Sequence, residues 1–310
     1  MSVLRTKKKL KMLSVSIIII NYNTCQMTKE CIDSVFKNTM GIDFEIILVD
    51  NASSDESKSV FTQDSRIRYI YSEENLGFGK ANNLGVVHAR GRNIFFLNSD
   101  TLLINNAVKI ISDYLDRDSD CGICGGNLYD KEGLPTHSFY RYYQSFLRDV
   151  FRPLFNLSDS IRYGKNQFHN HSGQVLEVCQ ISGADLMLRK SIIDKIGCFA
   201  PAFFMYYEDS ELCYRVSKNG YKIVSVPDAK IQHLCGKSDK KGIANIWRAE
   251  SRDIYYNLTG RSLFYRKVDA MYWKTVCRMV KFKYRHDSQI VDVYNKCIHY
   301  YNQLLFKPSK

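Results

Sequence analysis

The sequence predicts an α/β fold, with a Rossmann-like, mostly parallel central sheet, helices on both of its faces and a helical C-terminal region. Apolar runs of strand length alternate with amphipathic segments through the first third of the chain. The run at 14–20 is continuously β-branched, as in a central strand that is buried on both faces. The C-terminal region is expected to be helical because its pattern is helical and no proline occurs between Gly242 and Pro308.

The predicted elements follow in order along the chain. In the first third, strands are predicted at 14–20, 44–49, 66–71 and 93–97, and helices at 27–38 and 76–88. Ser53 and Glu56 have the spacing of a capping box that opens a short helix, and Gly91 is expected to close the helix at 76–88 in the left-handed conformation. Later strands are predicted at 174–181, 184–189, 222–226 and 230–233, and later helices at 191–196, at 210–219 and in an insertion or lid at 139–165.

Charge and pattern divide the chain into three predicted regions, a basic leader at 1–13, a sheet domain at 14–240 and a basic, aromatic-rich region at 241–310. The formal net charge is +12; the first eleven residues carry +5 and the last seventy-one carry +10, so the stretch between them is slightly acidic. Basic ends are typical of contacts with an anionic partner, either a membrane surface or nucleic acid, although a solvated basic surface gives the same pattern.

Composition argues against several classes of protein. Apolar residues make up 45% and charged residues 25% of the chain, which are globular values that disfavour disorder and coiled coil. No apolar run approaches the roughly 18–20 residues needed to cross a bilayer, and no secretory signal is recognised, so a cytoplasmic protein is expected. The ten cysteines are scattered, which favours reduced thiols. Cys121 and Cys124 form a C-x-x-C pair that we interpret as packing, with a metal or redox site as the alternative.

Polar residues follow each of the first four predicted strands, at 21–24, 50–55, 72–75 and 98–101. Ligands of doubly wound sheets bind outside the carboxyl ends of the strands. Since three of these four segments contain Asp or Glu, the sequence predicts a polar ligand site at this edge of the sheet.

Individual residues in these segments indicate the chemistry of the ligand. Asn98 and Asp100 would face one ligand together, and an amide oxygen with a carboxylate suits a divalent cation that carries a diphosphate. The alternative is an Asx turn that only ends the strand. Asp50 can accept a hydrogen bond from a ribose hydroxyl or a base edge, or belong to a helix cap. The glycines of 74–79 allow close approach of the backbone to a phosphate near a helix N-terminus.

Glu208 and Asp209 lie at the start of a predicted helix, after a run of aromatic residues. A partly desolvated carboxylate has raised basicity and suits a general base, whereas acids in a first turn also simply stabilise the helix dipole. His233 ends a strand downstream and is either structural or a ligand.

The segments that carry these residues occur in a recognisable order. They are 15–23, 49–55, 74–79 with Asn82 and Asn83, 96–100, 183–187, 207–213 and 226–233. Together they resemble the family-2 glycosyltransferases, inverting enzymes of the GT-A fold, and within them the rhamnosyltransferase-like branch. The resemblance spans roughly residues 14–240.

The resemblance implies a role for each matching residue. Asp209 would be the catalytic base, Glu208 would help to bind the acceptor, and Asp100 and His233 would bind a divalent cation, Mg²⁺ or Mn²⁺. The nucleotide-sugar would be bound by Asn21, Asn23, Asp50, Asn51, Asp55, Asn75, Gly77, Asn82, Asn98, Ser99, Asp100, Gly183 and Asp185. Asn98 stands where the family's D-x-D motif has its first Asp, which removes one formal charge from the metal site.

The implied reaction moves a rhamnose-like or other hexose from a nucleotide-diphosphate-sugar to a glycan or a polyprenyl-diphosphate-linked glycan, in cell-surface polysaccharide assembly. One displacement with one base inverts the anomeric centre, whereas retention would need a second carboxylate as nucleophile. A non-catalytic nucleotide-sugar-binding protein and a nucleic-acid-binding protein are alternatives; the latter leaves the acidic strand ends unexplained, so no nucleic acid is expected. A sugar nucleotidyltransferase would need a triphosphate loop, which 21–25 lacks.

Aromatic residues alternate with Lys and Arg through 243–305, which is typical of helices that lie at a membrane interface. Peripheral association with the anionic cytoplasmic face of a membrane is therefore expected. The alternative is that these helices cover the edge of the sheet and that their cations are simply solvated.

Overall fold

A computed structural model describes residues 13–164, 167–234 and 243–307. The first elements are β1 (Val15–Asn21), α1 (Cys25–Asn38), β2 (Phe44–Asn51), α2 (Ser57–Phe61), β3 (Arg68–Ser72), α3 (Phe78–Val87), β4 (Asn93–Asn98), β5 (Thr101–Leu103), α4 (Ala107–Arg117) and β6 (Cys121–Tyr129). There follow β7 (Phe139–Tyr140), α5 (Phe146–Val150), α6 (Arg152–Tyr163), β8 (Leu176–Val178), β9 (Gln180–Ile181), β10 (Asp185–Arg189), α7 (Lys190–Ile196), α8 (Glu208–Lys218) and β11 (Lys222–His233). The C-terminal helices are α9 (Ile243–Leu258), α10 (Leu263–Lys283) and α11 (Ser288–Phe306).

One nine-stranded sheet organises the first two thirds of the chain. Its strand order is β3-β2-β1-β4-β10-β6-β11-β5, and β8 also pairs with β11. Six of the nine strands run in one direction, because β10, β5 and β8 are antiparallel to their neighbours. Alternate residues of β1 enter separate cores on the two faces, with Ile17 and Ile19 on one side and Ile18 on the other. The mixed, mostly parallel sheet between helical layers confirms the predicted fold class.

The three C-terminal helices pack around a core of their own, which includes Ala249, Ala270 and Cys297. They meet the sheet domain through a smaller cluster in which Tyr255 and Tyr256 pack with Phe203. The aromatic residues of this region thus serve partly as interior packing. Among the described residues, no helix combines the length and the apolar character needed to span a membrane.

Several local predictions are wrong for identifiable reasons. Ser53 does not cap α2, which begins after Glu56 without a side-chain cap. Gly91 does not have a positive φ; a Cβ on it would lie 2.4 Å from the Ser16 backbone nitrogen, so the glycine is needed for close approach to β1. The two strands predicted at 222–233 are one strand, β11, whose pairing register shifts around Pro227.

Three further boundaries differ from the prediction. The strand predicted at 174–181 is divided into β8 and β9, and α8 begins at Glu208, two residues earlier than predicted. The insertion at 139–165 contains the helices α5 and α6, as predicted, but it begins with the short strand β7. Cys121 and Cys124 are buried free thiols within β6, and their Sγ atoms contact backbone carbonyls, which supports packing.

Candidate active site

The carboxyl ends of three neighbouring strands lie side by side. In the parallel pairing of β1 with β2, Asn21 is opposite Asp50, and in the pairing of β1 with β4, Ile20 is opposite Asn98. The polar segments after these strands therefore meet at one edge of the sheet, as the sequence predicts.

Asn21 and Asn23 tie the first strand-end loop to the second. Asn21 Nδ2 and the Asn23 backbone N–H both donate to Ser53 Oγ at 3.0 Å. Asn23 has a left-handed conformation (φ 55°), and its Oδ1 accepts from the Ser54 backbone N–H at 2.7 Å. The Ser53 hydroxyl is thus used between the loops, which is why it does not cap α2.

Both acids of the second loop accept hydrogen bonds within the protein. Asp50 is buried, and its Oδ2 accepts from the Tyr69 hydroxyl at 2.7 Å. Asp55 accepts from the backbone N–H groups of Cys25 and Ser57, each at 3.1 Å. Although burial raises the pKa of Asp55, the hydrogen bonds from Ser57 and Cys25 outweigh it and lower that pKa overall. These bonds fix the shape of the loop, while contact with a nucleotide stays a prediction.

The loop before α3 is held by two asparagines and one glycine. Asn75 Oδ1 accepts from Asn51 Nδ2 and from the Gly77 backbone N–H, both at 2.9 Å. Gly77 has φ +77°, and a Cβ on it would lie 2.2 Å from the Phe204 carbonyl oxygen. Only glycine therefore fits at the junction between this loop and the segment that precedes α8.

Two other predicted residues lie close to this edge of the sheet. Asn82 is buried in α3, where its Nδ2 donates to the Phe78 carbonyl oxygen at 3.0 Å. The Ser99 hydroxyl lies 3.3 Å from that of Thr24, which precedes α1. Both side chains contribute to the packing of the edge.

Asp100 and His233 come together because β5 follows Asp100 and pairs with the end of β11, placing Thr101 opposite His233. His233 Nε2 lies 3.2 Å from Asp100 Oδ1. Asn98, two residues earlier, donates its backbone N–H to the Ala184 carbonyl oxygen at 3.0 Å. The predicted metal ligands are therefore neighbours in the structure. The sheet brings them together, because 132 residues lie between Asp100 and His233 in the sequence.

The pair of Asp100 and His233 fits a divalent cation that is bound together with a substrate. Among the described residues, no group of three or more His, Cys, Asp and Glu side chains could hold an ion. Mg²⁺ is commonly bound by one or two carboxylates together with substrate phosphates and water. One carboxylate and one imidazole, both partly exposed, are compatible with a cation that shares a diphosphate as ligand.

The segment that leads into α8 has an unusual backbone. Tyr206 (φ 72°) and Tyr207 (φ 67°) are consecutive non-glycine residues in the left-handed region, where each costs about 1–3 kcal/mol. Contacts from α9 stabilise them, since Arg252 donates to the Tyr207 hydroxyl oxygen at 3.1 Å and the Arg248 guanidinium lies 4.3 Å from the centre of the Tyr206 ring. Such conformations are found where the surrounding structure positions a functional group.

Of the acid pair at the start of α8, Glu208 is buried and Asp209 is partly exposed. Asp209 Oδ2 accepts from the Gly183 backbone N–H at 3.0 Å, and Oδ1 accepts from the Ser210 backbone N–H at 2.7 Å. Burial raises the pKa of Asp209 although these bonds oppose the shift. Burial, with the neighbouring charge of Asp209, raises the pKa of Glu208 to about 8. At neutral pH Glu208 is thus mainly protonated, and the raised pKa of Asp209 increases its basicity, which suits a general base.

A cavity of about 460 Å³ lies between α8 and the C-terminal helices. Its lining combines the two acids of α8 with cations and with apolar side chains; these include Gln180, Arg152, Arg248, Arg252, Trp273, Val276 and Val280. Arg252 is paired with Asp269 at 2.8 Å and also with Asp149. Arg248, by contrast, takes part in none of the ion pairs found within the described residues. Arg152 is exposed as well but is paired with Asp149 at 2.7 Å. Arg248 is therefore the exposed cation of the lining that lies outside the ion pairs of the described residues.

The sequence-predicted residues form two groups on either side of 183–185. Asp100 and His233 do not line the cavity of Asp209 within the described part of the chain. The backbone of 183–185 joins the groups, because Gly183 donates to Asp209 while Ala184 accepts from Asn98. Asp185 is fully buried, its Oδ2 accepts from the Gly126 backbone N–H at 2.6 Å, and burial raises its pKa well above the usual value.

Sequence reasoning missed the cavity residues that α9 contributes. Asn245, Arg248 and Arg252 recur at helical spacing and therefore share one face of α9. A polar face in an otherwise aromatic helix is the sequence signal that could have identified these residues as the lining of a cavity. Tyr140 and Gln180 had none, because β7 and β9 are only two residues long.

A mixed sheet with acids at its carboxyl edge, followed by a helix that opens on an acid pair, is the architecture of the GT-A fold. The chain belongs to glycosyl transferase family 2, whose sequence profile matches residues 16–209. The family predicted from the order of the motifs is thereby confirmed.

Relatives agree with this assignment. The chain is similar to the low-salt glycan biosynthesis hexosyltransferase Agl10 of Haloferax volcanii, with 26% identity over 212 residues that make up 67% of this chain and 63% of that protein. It is also similar to the glycosyltransferase GlyG of Streptococcus pneumoniae serotype 4, with 30% identity over 132 residues, or 41% of this chain and 43% of that one. The matched regions thus span less than two thirds of either relative.

A solved structure shares the fold. The mannosyltransferase PcManGT from Pyrobaculum calidifontis, in complex with GDP-Man and Mn²⁺, matches with a TM-score of 0.54 and 16% sequence identity. The match covers 82% of this chain and 66% of that one. At this identity the likeness establishes the fold.

Proposed function

We propose that the protein transfers a hexosyl residue, rhamnose-like or other, from a nucleotide-diphosphate-sugar to a hydroxyl group of a glycan acceptor, with inversion at the anomeric carbon. The observation that carries the proposal is Asp209, a partly exposed carboxylate with a raised pKa that lines a cavity next to the carboxyl edge of the sheet. The names of the relatives support it, since Agl10 is a hexosyltransferase of glycan biosynthesis.

Asp209 would take the proton of the attacking hydroxyl. Hydrogen bonds from Gly183 and Ser210 hold both of its oxygens, so the carboxylate needs no reorientation before it accepts the proton. Glu208, protonated at neutral pH, would donate a hydrogen bond to an acceptor oxygen. A single displacement from the face opposite the leaving group needs one base only, whereas retention would need a carboxylate nucleophile on the sugar.

The nucleotide-sugar would bind at the carboxyl edge of β1, β2 and β4. Asn21, Asn23, Asp50, Asn51 and Asp55 would shape the nucleotide site. Around the diphosphate-sugar we place Asn75, Gly77, Asn82, Asn98, Ser99, Asp100, Gly183 and Asp185. Many of these side chains already bond within the protein, which pre-organises the loops and lowers the entropic cost of binding.

Asp100 and His233 would hold a divalent cation, Mg²⁺ or Mn²⁺, together with the diphosphate. When bound, such a cation stabilises the negative charge that develops on the leaving diphosphate. The PcManGT complex, which contains Mn²⁺, supports this part of the proposal. Asn98 contributes an amide where an acid would add charge, so we expect a modest metal affinity.

The acceptor would enter the cavity between α8 and the C-terminal helices. The exposed guanidinium of Arg248 near Asp209 suits an acceptor with an anionic group, such as a glycan linked to a polyprenyl diphosphate. Such an acceptor lies at a membrane, so we place the protein in the cytoplasm, in peripheral contact with the cytoplasmic face.

The test is a screen of nucleotide-sugars with purified protein, Mg²⁺ or Mn²⁺ and lipid-diphosphate acceptors, in which released nucleoside diphosphate is measured.

Asp209→Asn should lower kcat by at least about 10³-fold and leave nucleotide binding within about twofold of wild type, because general-base catalysis supplies on the order of 10²–10⁴ in rate. Asp194→Asn, at an exposed acid in α7, is the matched control and should keep full activity. Near-normal turnover of Asp209→Asn would refute the assignment of the base. Nucleotide-sugar binding without turnover in the wild type, across the whole screen, would favour a non-catalytic binding protein.

A further inference from the structure

Helix α6 exposes a row of large apolar side chains. Phe151, Leu154, Leu157 and Ile161 have 48%, 65%, 62% and 79% of their surface exposed. Their spacing of three, three and four residues places them on one face of the helix. Within α6 only Asp159 is buried, so this face has no cover among the described residues. A contiguous apolar row on a protein surface marks a site of interaction.

Helix α10 exposes a second row, and lysines border it. The exposed apolar residues are Phe264, Met271, Met279 and Phe282. Lysines recur beside them at intervals of seven residues, at positions 267, 274 and 281. None of these three lysines belongs to an ion pair found within the described residues, and α10 as a whole carries six Lys and Arg against one Asp. The second row is therefore apolar with a cationic border.

The two rows belong to neighbouring parts of the molecule. The helix that precedes α6, α5, packs on α10, since the Phe146 ring contacts the rings of Tyr265 and Tyr272. The Phe146 backbone N–H also donates to the Tyr265 hydroxyl at 2.7 Å. Asp149 and Arg152, at the junction of α5 and α6, line the cavity of Asp209. Trp273 and Val276 of α10 line it as well, so both helices that carry the rows border the cavity that we assign to the acceptor.

We propose that these rows form one docking face for an anionic lipid bilayer, with the apolar row of α6 inserted among the headgroups and the lysines of α10 in contact with lipid phosphates. Charge complementarity selects this occupant. An apolar protein partner or a second copy of the chain would cover the rows without using three lysines that lack an acidic partner among the described residues, although Lys267 donates to the Lys307 carbonyl oxygen at 2.8 Å. An anionic bilayer satisfies both the apolar and the cationic groups.

The docking face is more specific than a general attraction of the basic C-terminal region, because the inserted row belongs to α6 and only the exposed aromatic residues of α10, Phe264 and Phe282, lie beside it. Tyr255, Tyr256 and Tyr301 are buried in the protein and cannot enter a membrane. A lipid-linked acceptor would then reach the cavity from the bilayer surface; that consequence, unlike the docking itself, rests on the proposed function.

The test is co-sedimentation with vesicles of phosphatidylcholine alone and of phosphatidylcholine with phosphatidylglycerol. Wild type should bind the anionic vesicles at low salt and leave the neutral ones largely unbound. Leu154→Glu with Ile161→Glu should weaken binding at least tenfold. The matched control is Met40→Glu with Val87→Glu, which adds the same charge at two exposed apolar residues of the sheet domain and should change binding less than threefold.

A second arm tests the lysines. Changing Lys267, Lys274 and Lys281 to Gln should weaken binding to anionic vesicles at least tenfold, with little further loss on addition of salt. Circular dichroism and nucleotide binding of every variant verify the fold and report separately on the proposed function.

Absence of binding by wild type, or equal loss in the α6 variant and its control, would overturn the docking face. A dimer that the α6 variant converts to a monomer, without any change in vesicle binding, would overturn it in favour of a self-interface. Docking that fails while nucleotide turnover persists leaves the proposed transfer reaction intact and removes the proposed peripheral contact with the membrane.

Discussion

The two sides of the candidate active site are built in different ways. On the side that we propose for the nucleotide-sugar (the nucleotide side), short polar loops follow adjacent parallel strands and bond mainly to one another, as Asn51 does with Asn75. On the side that we propose for the acceptor (the acceptor side), the cavity depends on contacts between segments far apart in sequence, such as the pairing of Arg252 with Asp149 and Asp269. The first side is a property of the sheet, while the second depends on how the C-terminal helices dock.

This difference means that the two sides can fail separately. The left-handed residues Tyr206 and Tyr207 precede the acid pair and are held by α9, whereas the strand-end loops make no comparable use of the C-terminal helices within the described residues. A variant that loosens α9 should thus disturb the base and the acceptor cavity before it disturbs the nucleotide site.

The largest expected effect comes from Arg252→Met. Removal of the guanidinium leaves the buried Asp269 without its arginine and takes from Asp149 one of its two arginine partners, which should lower the free energy of unfolding by about 3 kcal/mol or more. Urea unfolding measures this change. Arg278→Met, at an exposed position of the neighbouring helix α10, is the control and should change the stability by less than about 0.5 kcal/mol.

In the folded fraction of Arg252→Met, nucleotide binding should stay within a few-fold of wild type while kcat falls. An equal loss of nucleotide binding and kcat would contradict the independence of the two sides.

Gly77→Ala should have the next largest effect, because Gly77 is where the nucleotide side touches the segment before α8. The new Cβ would lie 2.2 Å from the Phe204 carbonyl oxygen. Gly164 has nearly the same backbone angles (φ 77°, ψ −173°, against 77° and −176°) but no atom within 4 Å of such a Cβ. Gly164→Ala therefore isolates the cost of the backbone conformation, about 1–3 kcal/mol.

We expect the free energy of unfolding of Gly77→Ala to fall by about 1–3 kcal/mol more than that of the control, which is the usual cost of overpacking. Gly77→Ala should also bind nucleotide more weakly than wild type. Equal destabilisation of the two variants in urea would show that the contact with Phe204 has no energetic consequence.

The nucleotide side could be predicted from the sequence because its signals are local. Four consecutive isoleucines identify β1, and the polar segments after β1, β2 and β4 are brought together by parallel pairing alone. The acceptor side could not be predicted, since Asp149 and Arg252 are 103 residues apart and nothing in either segment indicates the other.

The same reasoning explains a missed strand. The strand β6 contains three glycines, which have low strand propensity. A Cβ on Gly125 or Gly126 would lie under 3 Å from the backbone of Asp185 or Ala229, so these glycines are required by neighbouring chain that the local sequence does not reveal.

The acid pair offers a smaller effect with a defined pH dependence. Glu208 has a pKa of about 8 in the folded protein against an ordinary value of 4.5. Between these values the folded state binds a proton that the unfolded state has lost, so the stability contributed by this group falls as the pH rises from about 4.5 to about 8. Glu208→Gln removes the titration and should be more stable than wild type at pH 8.5, on the order of 1–3 kcal/mol, but not at pH 4.5.

Thermal unfolding across this pH range measures the difference between Glu208→Gln and wild type. Glu177→Gln, at an exposed acid of β8, is the control and should show no trend. A difference that is independent of pH would contradict the raised pKa of Glu208.

Asn98→Asp should have the smallest effect, and it examines the nucleotide side alone. A second carboxylate two residues before Asp100 adds a negative charge close to the Asp100–His233 pair, so a divalent cation should bind more tightly, by about three- to tenfold, if the two charges interact across partly exposed surface. Titration with Mn²⁺, followed by electron paramagnetic resonance in the presence of a nucleoside diphosphate, measures the affinity without turnover.

The control variant Asn98→Ala separates the effect of the added charge from the loss of the amide, and it should bind Mn²⁺ more weakly than wild type or equally well. Within the described residues, Asn98 is hydrogen-bonded toward the acceptor side through the carbonyl of Ala184, so the stability and the pH profile of Asn98→Asp should match those of wild type. Tighter binding of Mn²⁺ by Asn98→Ala as well would show that the amide excludes the cation and that the added charge is not the cause.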